Sequence, residues 1–280
     1  MTELRGRTIL AFAENLLDMK DPWQSFIDRA QELTSKHSEA AELLDFYAKL
    51  LGAQKQIYEN LRNRQGWRPT GMLVADLDIL RLGLPVLLEV VEKSGPAALA
   101  EQAHHLKQAS QGEIDEMLIG YWTTPSDTQF FAKAFLQPYA YRLAEIGAQP
   151  ADRMLEAGER RCPFCTGKPQ LSVLKTQEPT SEAGGRNLLC ATCLTLWPFR
   201  RVVCANCGEE RPAKLAYFHT PEYDHLRVEA CDTCGHYIKG IDLTRLGLAA
   251  PLVDEIAAAP LDLWARERGY TKIELNLVGL

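Results

Sequence analysis

The 280-residue chain carries 46% hydrophobic and 24% charged side chains and a formal net charge of −6, the profile of a globular protein of about two domains. This excludes a globally disordered, collagen-like or coiled-coil chain. Apolar runs such as residues 83–88 stop at charges well short of the roughly 18 residues that a spanning helix needs. Arg5 and Arg7 precede a short apolar run that Glu14 interrupts, and no small-residue cleavage pattern follows. We therefore expect a cytoplasmic protein without a signal peptide.

The N-terminal part reads as helical. Asp21-Pro22 offers an N-cap and a first-turn proline ahead of a helix over 23–36. Between 38 and 64, Leu43, Tyr47, Leu50, Ile57 and Leu61 step by three, four or seven, which paints one face of a long helix. Further helices are expected at 85–93, 96–111, 113–122 and 125–146, separated by Gly95, Gly112 and Thr124-Pro125. Together they make an all-helical domain over 1–150, a bundle of five or six members. Residues 151–161 then form a linker.

All eight cysteines crowd into the stretch from Cys162 to Cys234, in four CxxC pairs: Cys162/Cys165, Cys190/Cys193, Cys204/Cys207 and Cys231/Cys234. In a reducing compartment a disulfide framework is disfavoured, leaving metal binding or thiol chemistry. The i, i+3 spacing aims two sulfurs from one tight turn at one point, and two such turns complete a tetrahedron. The spacing also repeats: the step from Cys162 to Cys204 equals that from Cys165 to Cys207, and the steps from Cys190 to Cys231 and from Cys193 to Cys234 equal each other and are shorter by a single position. That regularity implies one supersecondary unit used twice. It favours the sets Cys162, Cys165, Cys190, Cys193 and Cys204, Cys207, Cys231, Cys234 over a nested pairing of the two middle knuckles.

Each unit reads as CxxC, strand, turn, strand, CxxC. The first has a strand at 170–176 and a turn at 178–186; the second has strands at 213–219 and 225–230 around a turn at 220–224. This is the rubredoxin-like or zinc-ribbon layout, with modules at 162–203 and 204–243. Gly208 and Gly235 follow two knuckles directly, whereas Thr166 and Leu194 hold those places in the first module, so its motif is the looser one. Thiolate tetrahedra accept both iron and zinc, and the residues leave that choice open. Over 244–280, helices are expected at 251–258 and 261–268 and a final strand at 272–278. The fold class is multidomain α+β: a helical domain, then two tandem metal modules.

Function follows from what the cysteines leave over. Closed four-sulfur sites lack an open position for substrate. A thioredoxin-like use of CPFC would need a strand before and a helix after it, which the pattern does not offer. His104, His105, His219, His225 and His236 lack metal spacing of their own, Glu113, Asp115 and Glu116 read as first-turn helix acids, and no nucleophile motif appears. We therefore expect a binding protein rather than an enzyme. A nucleic-acid-binding ribbon is the alternative, motivated by Arg200, Arg201, Arg211 and Lys214; residues 162–240 carry only 9 basic against 8 acidic side chains, short of the usual basic excess. A thiol or iron redox protein is a further, smaller possibility.

Four stretches, ERRCPFCTGKP (159–169), LLCATC (188–193), LWPFRRVVCANCG (196–208) and EACDTCGHYIKGIDL (229–243), make the chain resemble the formate dehydrogenase accessory protein FdhE family, and PLVDEIAAAPLDLWARERGY (251–270) is similar as well. The resemblance is clear in the C-terminal half and one of arrangement in the helical half. It implies a cytoplasmic accessory protein for the maturation of respiratory formate dehydrogenase, which binds the catalytic subunit and holds iron in two rubredoxin-like sites. No membrane insertion and no nucleic-acid partner are implied. The eight cysteines named above carry over as the ligands.

Overall fold

The computed structural model describes residues 22–153, 155–175 and 185–280. Within it, seven α-helices precede the sheet: α1 (Pro22–Thr34), α2 (Ala41–Asn63), α3 (Leu73–Leu80), α4 (Leu84–Ser94), α5 (Ala97–Leu106), α6 (Gln111–Thr123) and α7 (Phe130–Ile146). The periodicity of α2 buries the expected Tyr47, Leu50, Ile57 and Leu61, together with Leu44, Leu51 and Tyr58, against α1, α4 and α7, whereas the expected Leu43 is only partly buried. Helix α3 lies outside the expected set, because eight residues rich in leucine leave too few turns to show a period. The 96–111 helix ends early at Leu106. Ser110 instead caps α6, its hydroxyl accepting from Glu113 N at 3.3 Å while Glu113 Oε2 accepts from Ser110 N at 2.7 Å, so a capping box overrides continuation.

Helix α7 is the hub. Residues 131–141 are all buried, as in a helix packed on every side. Pro138 has no N–H and frees the carbonyl four residues back, at Ala134. The amide of Gln54 fills the gap, donating to Ala134 O at 2.7 Å from α2.

The C-terminal half is one sheet of strands β1 (Pro169–Lys175), β2 (Gly185–Cys190), β3 (Leu196–Pro198), β4 (Leu215–Phe218), β5 (Leu226–Cys231), β6 (His236–Asp242) and β7 (Thr271–Lys272), in the order β3-β2-β1-β6-β5-β4, with β7 on β6. Two antiparallel meanders lie side by side, joined by parallel pairing of β1 with β6, Leu171 opposite Lys239 and Val173 opposite Ile241. Each repeat therefore has a third strand, β3 or β6, beyond the two expected. Most of the turn expected at 178–186 lies outside the described residues; its end, Gly185 and Arg186, is strand.

Helices α8 (Pro251–Ala257) and α9 (Ala259–Glu267) pack against the sheet, and α8 also meets α1 and α2. The expected final strand shrinks to Thr271–Lys272. Asn276 turns the chain instead, its Oδ1 accepting from Val278 N at 3.1 Å and Leu280 N at 3.0 Å, a local alternative to ladder bonding. A buried ionic knot joins the layers: Lys239 meets Asp262, and Lys272 meets Glu255, which accepts from Gln170 at 2.7 Å. Among the described residues no helix is long and apolar enough to cross a membrane.

Candidate metal centres

Strand register brings the cysteines together. Pro169, at the start of β1, pairs with Cys190, at the end of β2, so the 162–165 turn lies opposite the 190–193 turn. Leu215 of β4 pairs with Cys231 of β5 in the same way. The eight cysteines thus gather in the two sequential sets, the sulfurs of each set all lying within 4.8 Å of one another.

The sulfur separations test the fit to a metal. In the first cluster Cys162 Sγ lies 3.6 Å from Cys193 Sγ, and Cys165 Sγ 3.4 Å from Cys190 Sγ. In the second, Cys204 Sγ is 3.8 Å from Cys234 Sγ, and Cys207 Sγ 3.7 Å from Cys231 Sγ. A tetrahedron with arms of about 2.3 Å has edges of about 3.8 Å. Disulfides, at about 2.05 Å, are incompatible with these distances. Both donor sets fit one four-coordinate ion each.

The turns share one conformation. The residue after each CxxC has positive φ: Thr166 (59°), Leu194 (58°), Gly208 (80°) and Gly235 (66°). The chain folds back so that Thr166 N, Gly208 N and Gly235 N donate to the carbonyls of Cys162, Cys204 and Cys231 at 2.8, 3.1 and 2.9 Å. Thr166 and Leu194 adopt this conformation without being glycine, at a cost of about 1–2 kcal/mol each. Backbone N–H groups also reach sulfur: Thr192 N donates to Cys190 Sγ at 3.3 Å and Asn206 N to Cys204 Sγ at 3.3 Å. Such bonds stabilise thiolate and tune a bound ion.

The clusters differ in exposure, in the opposite sense to their sequence motifs. All four sulfur residues of the first are buried, none more than 1% exposed. In the second, Cys207 is exposed and Cys234 partly so. The looser motif lies under the helical domain, where Gln137 of α7 donates to Ala191 O at 2.9 Å and Arg153 to Thr192 Oγ1 at 3.3 Å. Burial pushes the Cys162 and Cys193 thiols well up, and the Cys204 thiol to about 12. Burial also acts on Cys234, yet hydrogen bonds from Asn206, the His236 backbone, Cys207 and Cys204 outweigh it and draw that thiol down to about 7. Four thiolates crowded at one buried point need a cation to coexist.

The histidines stay outside both clusters. His225 Nε2 lies 3.0 Å from Asp254, His236 Nδ1 2.7 Å from the Cys234 carbonyl, and His104 Nδ1 2.9 Å from Glu92. Of the basic run, Arg200 pairs with Glu210 and Arg211 with Glu209, both at 2.6 Å. Three neighbours of the first cluster, Gln137, Arg153 and Gly167, escape a reading of the sequence. A Cβ on Gly167 would lie 2.9 Å from Cys190 Sγ and from Thr192 Oγ1. The glycine just beyond the first CxxC was the available signal.

A helical domain joined to one sheet that carries two four-cysteine centres defines a two-centre thiolate protein of α+β class. Residues 202–278 match the family model "FdhE, C-terminal domain". The chain is 31% identical over 271 residues to a Protein FdhE homolog of Aquifex aeolicus, covering 90% of this chain and 94% of that one. Protein FdhE of Escherichia coli O127:H6 is 31% identical over 193 residues, 66% of this chain and 60% of that one. The crystal structure of the FdhE protein from Pseudomonas aeruginosa shares the fold, with a TM-score of 0.68 at 23% identity over 92% of this chain and 95% of that one. The chain belongs to the FdhE family.

Proposed function

We propose that this chain is a cytoplasmic accessory protein for formate dehydrogenase maturation, which binds the catalytic subunit of that enzyme and holds one iron or zinc ion on each set of four cysteines. The observation that carries the reading is family membership along nearly the whole chain with both four-sulfur clusters geometrically complete. Cys162, Cys165, Cys190 and Cys193 would hold one ion, and Cys204, Cys207, Cys231 and Cys234 the other. Iron would supply a one-electron couple there, and zinc a redox-silent cross-link.

The protein's own groups do the rest. The closed donor sets give substrate no coordination position, so the chain acts by presenting surfaces rather than by catalysis. The helical layer and the sheet are pinned together through α7 and α8, which supports a fixed composite surface for the client. Ion pairing of Arg200 and Arg211 removes half of the basic run that had suggested nucleic acid.

Two measurements test the reading. Affinity purification of the tagged chain from cells making formate dehydrogenase should recover its catalytic subunit, and a deletion strain should lose formate dehydrogenase activity. Full activity in the deletion strain would overturn the proposal. Visible absorption of protein purified without oxygen separates the metals, since ferric thiolate is coloured and zinc is not.

A further inference from the structure

A cavity of about 600 Å³ opens between the two cysteine clusters. Its wall includes Thr166, Gly167 and Thr192 from turns of the first cluster and Ala205 and Asn206 from a turn of the second. Four cations also line it: Arg153, Arg160, Arg161 and Lys168. Arg160 and Arg161 sit on the irregular stretch 155–161 with Glu156 and Glu159, which also border the cavity. Lys168 lies 3.6 Å from Glu274, an acid whose closer partner is Lys133 at 2.6 Å.

Arg153 is the anomaly. It is only 6% exposed, yet it has no carboxylate partner among the described residues. Its Nη2 donates to Thr192 Oγ1 at 3.3 Å, its guanidinium lies 5.0 Å from the centre of the Trp122 ring, and among the described residues Nε and Nη1 have no hydrogen-bond partner. The adjacent acid, Asp152, is engaged elsewhere, accepting from Trp122 Nε1 at 2.8 Å and Val74 N at 3.4 Å. A buried guanidinium with idle donors is strongly unfavourable unless an anion or further acceptors meet it. Stacking on an aromatic face leaves its in-plane donors free for the two oxygens of a carboxylate or phosphate.

We propose that the cavity between the two cysteine clusters binds a ligand through an oxyanion, a carboxylate or a phosphate, held by Arg153 with Lys168 as the second cation. The ligand would touch the turns of both clusters at once, so its binding would report on both. The site stands on its own observations, whichever enzyme the chain serves.

The test uses the full metal-loaded chain at fixed ionic strength, with chloride as the balancing anion. Isothermal titration is run with inorganic phosphate and, separately, with a blocked tetra-aspartate peptide. Saturable binding of either supports the site: phosphate alone points to a free or esterified phosphate ligand, and the peptide alone to an acidic protein segment. Arg153→Met should weaken the binding by about tenfold or more, the loss of one charge-assisted hydrogen bond, and Lys168→Gln should weaken it with the fold intact. Absence of saturation with both probes overturns the proposal, as does unchanged affinity in Arg153→Met. Should Arg153→Met not fold, unchanged affinity in Lys168→Gln overturns it. Loss of the first metal ion in Arg153→Met, with no binding of either probe to the parent chain, would assign the arginine to charge balance of the thiolates and likewise overturn it.

Discussion

Gly167→Ala puts the geometry of the first cluster to a quantitative test. The added methyl would meet Cys190 Sγ and Thr192 Oγ1 at 2.9 Å and Cys165 Sγ at 3.3 Å, where ordinary contacts run at about 3.5–4.0 Å. Neither sulfur can swing away without leaving its tetrahedron, because Cys190 is fixed at the end of β2 and Cys165 in a closed turn. Overpacking of this kind costs about 1–3 kcal/mol, and if the cluster bears that strain its affinity for metal falls by about 5- to 150-fold. Gly235→Ala is the control. It meets no heavy atom within 4 Å but must hold φ at +66°, which costs about 1–2 kcal/mol at the second cluster. Chelator competition followed by elemental analysis reads each ion, with a Cys207→Ser variant assigning the phases. Gly167→Ala should shift only the first-cluster phase and Gly235→Ala only the second. A Gly167→Ala protein with both phases unchanged would refute the packing argument.

Three further outcomes are expected. Gln54→Leu should cost about 1–3 kcal/mol by orphaning the Ala134 carbonyl, and Pro138→Ala, which restores an N–H to that carbonyl, should shrink the cost; equal costs in both backgrounds, measured by urea unfolding, would sink the account of α7. Burial acts to raise the Asp254 carboxyl, but hydrogen bonds from His225, Arg29 and Ala250 N and the Arg29 charge outweigh it and hold it below its ordinary 3.8. Its stabilising contribution is therefore complete above about pH 4 and lost as pH falls through the lower folded value, so Asp254→Asn should flatten the fall of stability with pH below about 4; an unaltered slope would contradict the reading. Finally, alkylation with iodoacetamide followed by peptide mass mapping should label Cys207 well before Cys165, which is 1% exposed; equal labelling rates would show that burial does not govern access.

The cysteine clusters were legible because their information is local: i, i+3 pairs and a cysteine spacing that recurs almost unchanged need no knowledge of distant chain. The long helix α2 was legible for the same reason, since its period runs through many consecutive turns. What the residues did not disclose is non-local or too short to carry a pattern. The parallel pairing of β1 with β6 joins Leu171 to Lys239, with the whole of the first repeat's return and most of the second repeat between them, and leaves no periodic trace. Strand β3, Leu196–Pro198, is too brief to alternate. Reading Thr166 and Leu194 as signs of a looser site treated glycine as a requirement for positive φ, whereas packing holds both residues there. Leu194 is 3% exposed, and the hydroxyl of Thr166 donates to Cys165 O at 2.6 Å.

The shared sheet changes what two tandem modules mean physically. Separate ribbons on a flexible tether could lose or gain metal independently of each other and of the helices. Here β1 of the first repeat and β6 of the second are neighbours, β6 carries Lys239 into the buried knot with Asp262, and α7 reaches the first cluster through Gln137. Were each set to hold an ion, losing either one would release a turn at one end of a common sheet that also packs on the helical layer. β1 and β6 thus link the two clusters, and α7 and α8 link the sheet to the helices, in one contiguous packed structure. The first cluster is buried at its contact with α7, and the second is the one that reaches solvent, at Cys207.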